Sequence, residues 1–524
     1  MNHGLLPFLS LCLAAQTPPA FQEAPLRAHI AFLADDLLEG RGTGQRGGAL
    51  AVRYLETQLQ ALGARPAFGS SYRQSVDLIG LRTQHEQSRL TVRDPASDGE
   101  PWRLQPDRDV SYVTGLPEAR QDLDAELVFV GYGIREGARD DFKNADLRGK
   151  VLVALAGSAP EGRTGCCEPR HQAGRWKTKF AQARALGAAG LLIIHRTPEA
   201  GYGWGVVTAG WGGERFQLAT RPGCALQGWL SEEAGGRLLQ RAGMDLESLR
   251  TEADAHTFQP RPLGLHLNGT LHSRIRRVQD HNVAGLIPGR DPRLSQEAVV
   301  LSAHWDHLGR DEATGVIRPG AVDNATGCAG VLALGRHLAA HPPARSILLL
   351  FPAAEEQGLL GADAYVAAPA LPLDRTVAVL NLESLNTAGP TRDIGLAGAQ
   401  GSSLQERAEA AAHHVGLRPT LPTEDPQALF FRADHFAFVR AGIPAFSPGF
   451  SLDGGWDYLD AASAERARRF LAEGYHRPAD RYDEGWDLRG LLQQLDFILH
   501  LARDLGNSPE RPVWKHGHRP FLAP

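Results

Sequence analysis

Four runs in the C-terminal half of the chain are apolar at nearly every position rather than at every second one: NVAGLIPG (282–289), AVVLSAH (298–304), SILLLFPAAEE (346–356) and TVAVLNLES (376–384). A strand with one wet face alternates. A strand that is apolar on both faces must be covered on both, and parallel sheets flanked by helices are where such strands occur. Helical stretches such as ATGCAGVLALGRHLAAH (325–341) separate the runs. The pattern predicts an α/β fold with a mixed, mainly parallel central sheet sandwiched by helices.

In sheets of this kind ligands bind beyond the carboxyl ends of the strands. Polar residues gather there. AVVLSA ends at His304 in HWDH, SILLLF ends just before Glu355 and Glu356, and TVAVLNL ends at Glu383. GAVDNATG (320–327) puts Asp323 in a turn before a helix expected to start near Ala325, and YHRPAD (475–480) adds His476 in a Pro-containing loop. Two imidazoles and several carboxylates at strand ends and loops have the character of a metal site.

Zinc favours about four N/O donors, and a pair of ions needs a bridging group. A short carboxylate at a rigid turn suits bridging, so Asp323 is expected to bridge. Asp306 stands two residues from His304 and shares its face if the strand continues, where it can accept the second imidazole N–H. Neighbouring residues leaving a strand point different ways, which assigns Glu356 as ligand and Glu355 as general base. Their mutual repulsion is offset by the dications. Taken singly, each residue has an ordinary alternative: a hydrogen-bonded histidine, a solvated helix start, or a helix cap at Asp323.

The motifs HWDHLG, AVDNATG, AAEEQGLLG, NLES and YHRPAD, in that order, resemble the series of the co-catalytic zinc peptidase family that includes secreted bacterial leucyl aminopeptidases and glutamate carboxypeptidase. The resemblance covers about residues 25 to 110 and 270 to 505. It implies the zinc exopeptidase fold and two Zn2+ ions, one on His304, Asp323 and Glu383 and the other on Asp323, Glu356 and His476, with Glu355 as base and Asp306 in the catalytic set. The family commonly has Asp where this chain has Glu383, one methylene longer. His307 fits the local motif as pocket lining, and Asp434 and His435 in FRADHFAFVRAGIPAF (431–446) resemble a motif near the substrate cleft.

At 524 residues the chain is too long for one ordinary core. Residues 120–262 change texture, with AELVFVGYGI, GKVLVALAG and LLIIHR as strands, KFAQARALGAAG as a helix and GYGWGVVTAGWGG as a loop. This stretch looks like the small β-rich protease-associated domain that the family often carries as an insertion. The expected organisation is a signal peptide over 1–20, peptidase domain over 21–119, insertion over 120–262, peptidase domain with the metal site over 263–510, and a tail over 511–524. Val52, Leu55, Leu59 and Leu62 predict one helix face ending at Gly63, and LEGRGTGQRGG (38–48) reads as a turn, since it lacks the Lys-Ser/Thr of a phosphate-binding loop.

A formal net charge of −5 gives no field that calls for nucleic acid as partner. No window past residue 20 approaches a membrane-spanning length. The N-terminal MNHGLLPFLSLCLAAQTPPA, apolar and then small, reads as a secretory signal and so predicts a secreted or periplasmic bacterial protein. In an oxidising compartment Cys224 could pair with Cys166 or Cys167. The expected activity is zinc-dependent exopeptidase cleavage of peptides, foremost as an aminopeptidase. The alternatives are carboxypeptidase or glutaminyl cyclase-like chemistry, or a non-catalytic receptor on the same fold. Oligomeric state is not legible.

Overall fold

The computed structural model describes residues 20–160, 172–200, 202–211, 213–422, 429–449 and 456–515. Eleven of the fifteen strands of its main sheet are β1 (Arg73–Thr83), β2 (Val110–Val113), β3 (Arg120–Phe129), β4 (Val151–Leu155), β5 (Gly190–Ile194), β6 (Leu226–Leu230), β7 (Arg261–Ile287), β8 (Ala298–Ser302), β9 (Ser346–Phe351), β10 (Thr376–Asn381) and β11 (Ala445–Phe446). They lie in the order β11-β10-β8-β9-β7-β3-β4-β5-β6-β2, with β1 paired to β7. Strands β11, β10, β8 and β9 are mutually parallel and β7 closes them antiparallel. The fold is mixed α/β, as the apolar runs predict.

The period of two shows how both faces are used. Ile347, Leu349 and Phe351 enter one core with Val299, Leu301 and Leu380; Leu348 and Leu350 enter another on the opposite face with Val300, Val379 and Phe438. Each such side chain, once buried, contributes roughly 1.5–3 kcal/mol. The first face is covered by the helices Arg46–Ala61, Gly327–Ala340 and Arg489–Asn507. The last of these aligns Leu491, Leu495, Ile498, Ala502 and Leu505 in a stripe of alternating four- and three-residue steps. Val52, Leu55 and Leu59 are buried as their spacing predicts.

The strands β3 to β6 carry two further cores, one on each side. β2 joins them by pairing antiparallel with β6, although it lies ahead of residue 120. Strand β7, 27 residues long, pairs with β3 near its start, with β1 in its middle and with β9 at its end. One of these two cores and both cores of the parallel strands thus share one continuous strand, through Leu265 and Leu267, Val283 and Ile287, and Ala284.

Two expectations need correction. GYGWGVVTAGWGG holds a helix, Trp204–Trp211, because Val207 and Trp211, four apart, both reach the core beside β4 and β5. Cys224 is a free thiol, pushed up to about 11 by burial, and not a disulfide partner; Cys166 and Cys167 fall outside the described residues.

The glycine-rich turn at 38–48 is more than a connector. Arg41 is 1% exposed, and its guanidinium donates to the carbonyls of Trp305 at 2.7 Å, Pro319 at 2.7 Å, Gly320 at 2.8 Å and also Leu33. One side chain thereby ties the helix Glu23–Leu33 to the HWDH segment and to the turn that carries Asp323. Arg41→Ala leaves these buried carbonyls without their donor, and urea denaturation is expected to show a loss on the order of 3 kcal/mol.

Candidate metal centre

Every sequence-selected site residue arrives at one end of the parallel strands. His304 and Asp306 follow β8, Glu355 and Glu356 follow β9, and Glu383 follows β10. The backbone turns sharply at two of these exits, at Ala354 (φ 51°) and Ser384 (φ 45°), and at His476 (φ 58°) in its loop, in left-handed conformations that residues with a Cβ rarely take. Such strain persists only where surroundings over-determine it, and three of the eight described non-glycine residues with positive φ are these.

Asp323 sits at the centre. Its two carboxylate oxygens face different groups: Oδ1 lies 3.4 Å from His304 Nε2, and Oδ2 lies 3.2 Å from His476 Nε2. His304 Nε2 is also 3.0 Å from Glu383 Oε1, and His476 Nε2 is 3.4 Å from Glu356 Oε2. On the second side His307 Nδ1 approaches Glu356 Oε1 to 2.7 Å, yet the alignment is too poor for a hydrogen bond. Donor atoms of His304, Asp323 and Glu383, and likewise of His307, Asp323 and Glu356, lie within 4.8 Å of one another.

The turn carrying Asp323 is braced from afar. Asp480 accepts the backbone N–H of Val322 at 2.8 Å and of Asp323 at 3.1 Å. Asn324 donates to the Leu382 carbonyl at 2.9 Å and accepts from Ser384 N at 3.2 Å, which fixes the Asp323 turn against the exit of β10. Asn381 Nδ2 donates to Glu383 Oε2 at 3.2 Å and so orients that side chain. None of these braces was singled out from sequence. Asp480 lies inside the YHRPAD motif, which was the available signal.

Asp306 holds the glutamate turn. Its carboxylate accepts Glu355 N at 3.0 Å and Glu356 N at 3.4 Å. The expected bond from its side chain to the imidazole is replaced, because those amides occupy the carboxylate: His304 Nδ1 faces the Asp306 carbonyl oxygen at 3.0 Å, with the carboxylate at 3.7 Å.

The charges do not balance internally. Burial raises Asp306 to about 7, and burial with repulsion from Glu383 and Glu356 lifts Glu355 well above the usual range. Burial opposes a charged His476, but Glu356 and Asp323 raise it to about 9. Asp323 goes the other way: burial is overcome by His304 and His476, which hold its carboxyl well below normal. Asp434 is fully buried with both carboxylate oxygens lacking hydrogen-bond partners, and burial raises it strongly. Asp323 Oδ1, Glu356 Oε1 and both His307 ring nitrogens are buried without hydrogen bonds as well. Unsatisfied imidazole and carboxylate donors converging on two spots fit divalent cations such as zinc.

Residues 282–502 match the family profile described as Peptidase family M28. A vacuolar membrane protease of Schizosaccharomyces japonicus is 32% identical over 169 residues, which cover 32% of this chain and 16% of that protein. Another, of Colletotrichum graminicola, is 35% identical over 103 residues, covering 19% of this chain and 9% of its own length. Among solved structures, an aminopeptidase from Aneurinibacillus sp. strain AM-1 superposes with a TM-score of 0.53 at 18% identity, covering 94% of this chain and 96% of that one. At this identity it shows a shared fold. The expectation of a secreted or periplasmic bacterial protein is overturned here, since the curated relatives that the chain matches over a small part of their length are vacuolar membrane proteases of two fungi. An apolar leader with small residues after it is common to many export routes and encodes no destination; residues 1–19 lie outside the described part, and no described helix is long and apolar enough to cross a membrane. The profile match falls on the segment that carries the HWDH, AVDN, EE, NLES and YHRPAD motifs, so residues 282–502 are similar to the peptidase domain of family M28.

Proposed function

We propose that the protein is a zinc-dependent exopeptidase, foremost an aminopeptidase acting on peptides. The observation that carries this reading is Asp323, whose two oxygens face separate imidazole–carboxylate sets while Glu355 stands beside both. His304, Asp323 and Glu383 would hold one ion, and Asp323, Glu356 and His476 the other. When bound, the pair supplies positive charge around the scissile carbonyl and Lewis acidity to it.

The chain's own groups do the rest. Asp306 fixes the backbone at Glu355 and Glu356 and so sets where both carboxylates point. Among the described residues no hydrogen bond reaches the Glu355 carboxylate, which leaves it free to take a proton from the attacking water and return it to the leaving amine nitrogen. The raised affinity of Glu355 for a proton suits that exchange. Residues 120–262 are read as a protease-associated domain. A receptor that had given up catalysis would lack the base or a ligand, and in this chain each position is filled.

Release of chromophore from amino-acid anilides, with and without chelator, tests the activity. Turnover that survives complete metal removal contradicts the reading. Glu355→Gln is expected to lower kcat by at least ~100-fold while zinc content stays at the wild-type level. Asp323→Ala and His304→Ala are expected to lose metal as well, as plasma mass spectrometry after dialysis reads directly.

The chelated protein should depend on pH in a definite sense. Asp306 at about 7 and Asp480 at about 6, both raised by burial, stay protonated in the fold to higher pH than in the unfolded chain, where such a carboxyl titrates near ~3.9. Stability is lost as they are forced to ionise, from roughly pH 4 to pH 7. His476 adds stability that is present below its unfolded value and lost as pH rises through about 9. The Tm of metal-free protein is therefore expected to fall from pH 5 to pH 9, and zinc loading is expected to flatten the slope. A Tm that rises over that interval contradicts the assignment.

A further inference from the structure

His307 is the imidazole at the centre to which the two-ion arrangement gives no task. Its side chain is fully buried, and both ring nitrogens lack a hydrogen-bond partner. A buried polar atom left in that state costs about 1–3 kcal/mol, so Nε2 alone, on a residue that only filled space, would be a standing penalty. An apolar side chain of similar volume would pack there without it.

The ring is not free to turn away from this position. Gly320, in a left-handed conformation at φ 64°, lies so close that a Cβ there would sit 2.5 Å from the His307 Cγ. The Gly320 carbonyl is held by the buried Arg41 guanidinium at 2.8 Å, and His307 N donates to the Arg41 carbonyl at 3.3 Å. With the backbone fixed on both sides, Nδ1 is directed to Glu356 Oε1 at 2.7 Å, and a His307 nitrogen, an Asp323 oxygen and a Glu356 oxygen lie within 4.8 Å of one another. The His476 ring stands at 5.7 Å, inclined by 68°, on the same side. His476 is the exposed one of the pair, with 33% of its side chain open to solvent, and stacks on Tyr475 at 4.0 Å.

The geometry points to His307 as an additional protein donor on the Asp323–Glu356–His476 side, which makes the two metal positions unequal. This rests on the two-ion reading above. A zinc on that side has four protein donors and is closed in the manner of a structural site. The other position, on His304, Asp323 and Glu383, has three and keeps one place for substrate. The closed ion is then the slow-exchanging one that holds the negative charge of Glu356 and Asp323 in check. The open ion is the labile one, and substrate engages on its side.

The test uses the full chain loaded with zinc or cobalt(II). Wild type dialysed against increasing chelator is expected to lose its zinc in two stages, with about one ion per chain retained between them. His307→Ala is expected to lose both together, its tighter site weakened by at least ~10-fold. His307→Cys, which offers a thiolate from the same backbone position, is expected to show a thiolate-to-cobalt charge-transfer band in the near ultraviolet that wild type lacks. That band requires residue 307 to touch the ion, and it decides the matter if His307→Ala fails to fold. Two-stage loss in His307→Ala indistinguishable from wild type overturns the inference, as does a His307→Cys spectrum without the band. Wild type that binds no zinc at all overturns instead the reading of the centre on which the inference is built.

Discussion

Carboxylates brought together out of water repel one another, and nothing else in this molecule governs so much of its construction. Asp306, Asp323, Glu356 and Glu383 converge with Glu355 and the buried Asp434 at the strand exits, and the nearby imidazoles cannot neutralise them all. The nearest buried guanidinium, Arg41, spends its hydrogen bonds on four carbonyls and none on these acids. A set of acids in that position is tolerable only with cations of another kind. The left-handed residues at 354, 384 and 476 and the brace from Asp480 to the Asp323 turn are what it takes to hold the acids in place against that repulsion.

Much of this was legible in the chain because two simple signals coincide. Strands apolar on both faces fix the sheet type, and the sheet type fixes which strand ends carry chemistry, so His304, Glu355, Glu356 and Glu383 could be picked by position. What escaped notice was long-range. Nothing local to Arg41 says that its guanidinium will reach Trp305, Pro319 and Gly320, because a glycine-rich turn with one arginine has the composition of any loop. Asp480 reaches back more than 150 residues to two backbone amides, a partnership that no window of sequence displays. The helix Trp204–Trp211 was masked by its glycines, and only the burial of Val207 and Trp211 against β4 and β5 favours it over a loop. Asp306 was assigned to the right neighbourhood, but its side chain serves the glutamate turn and its carbonyl serves the imidazole. An apolar start followed by small residues names no compartment, which is why sequence alone does not give the cellular destination.

Residues 120–262 are not a loosely tethered addition. Strand β7 passes from one core of this segment into the cores of the parallel strands without a break, and β2 reaches over from the preceding segment to pair with β6. The consequence is felt at the centre. Lys177, in the helix Trp176–Ala185, packs so tightly on Gly358 that a methyl group there would overlap its Nζ, and Gly358 N is itself bonded to the Glu355 carbonyl at 2.7 Å. Burial, with Arg175 and Arg215 close by, brings that lysine down to about 7. Residues 120–262 therefore supply part of the wall beside the glutamate turn, and the electrostatics there belong to both parts of the chain.

An anomalous-difference map from a zinc-loaded crystal, collected at the zinc edge, tests the central claim most directly. The account predicts density on both sides of Asp323, one peak against His304 and Glu383 and one against Glu356 with His476. A well-ordered crystal with empty density on both sides, its acids left to face one another, would contradict it.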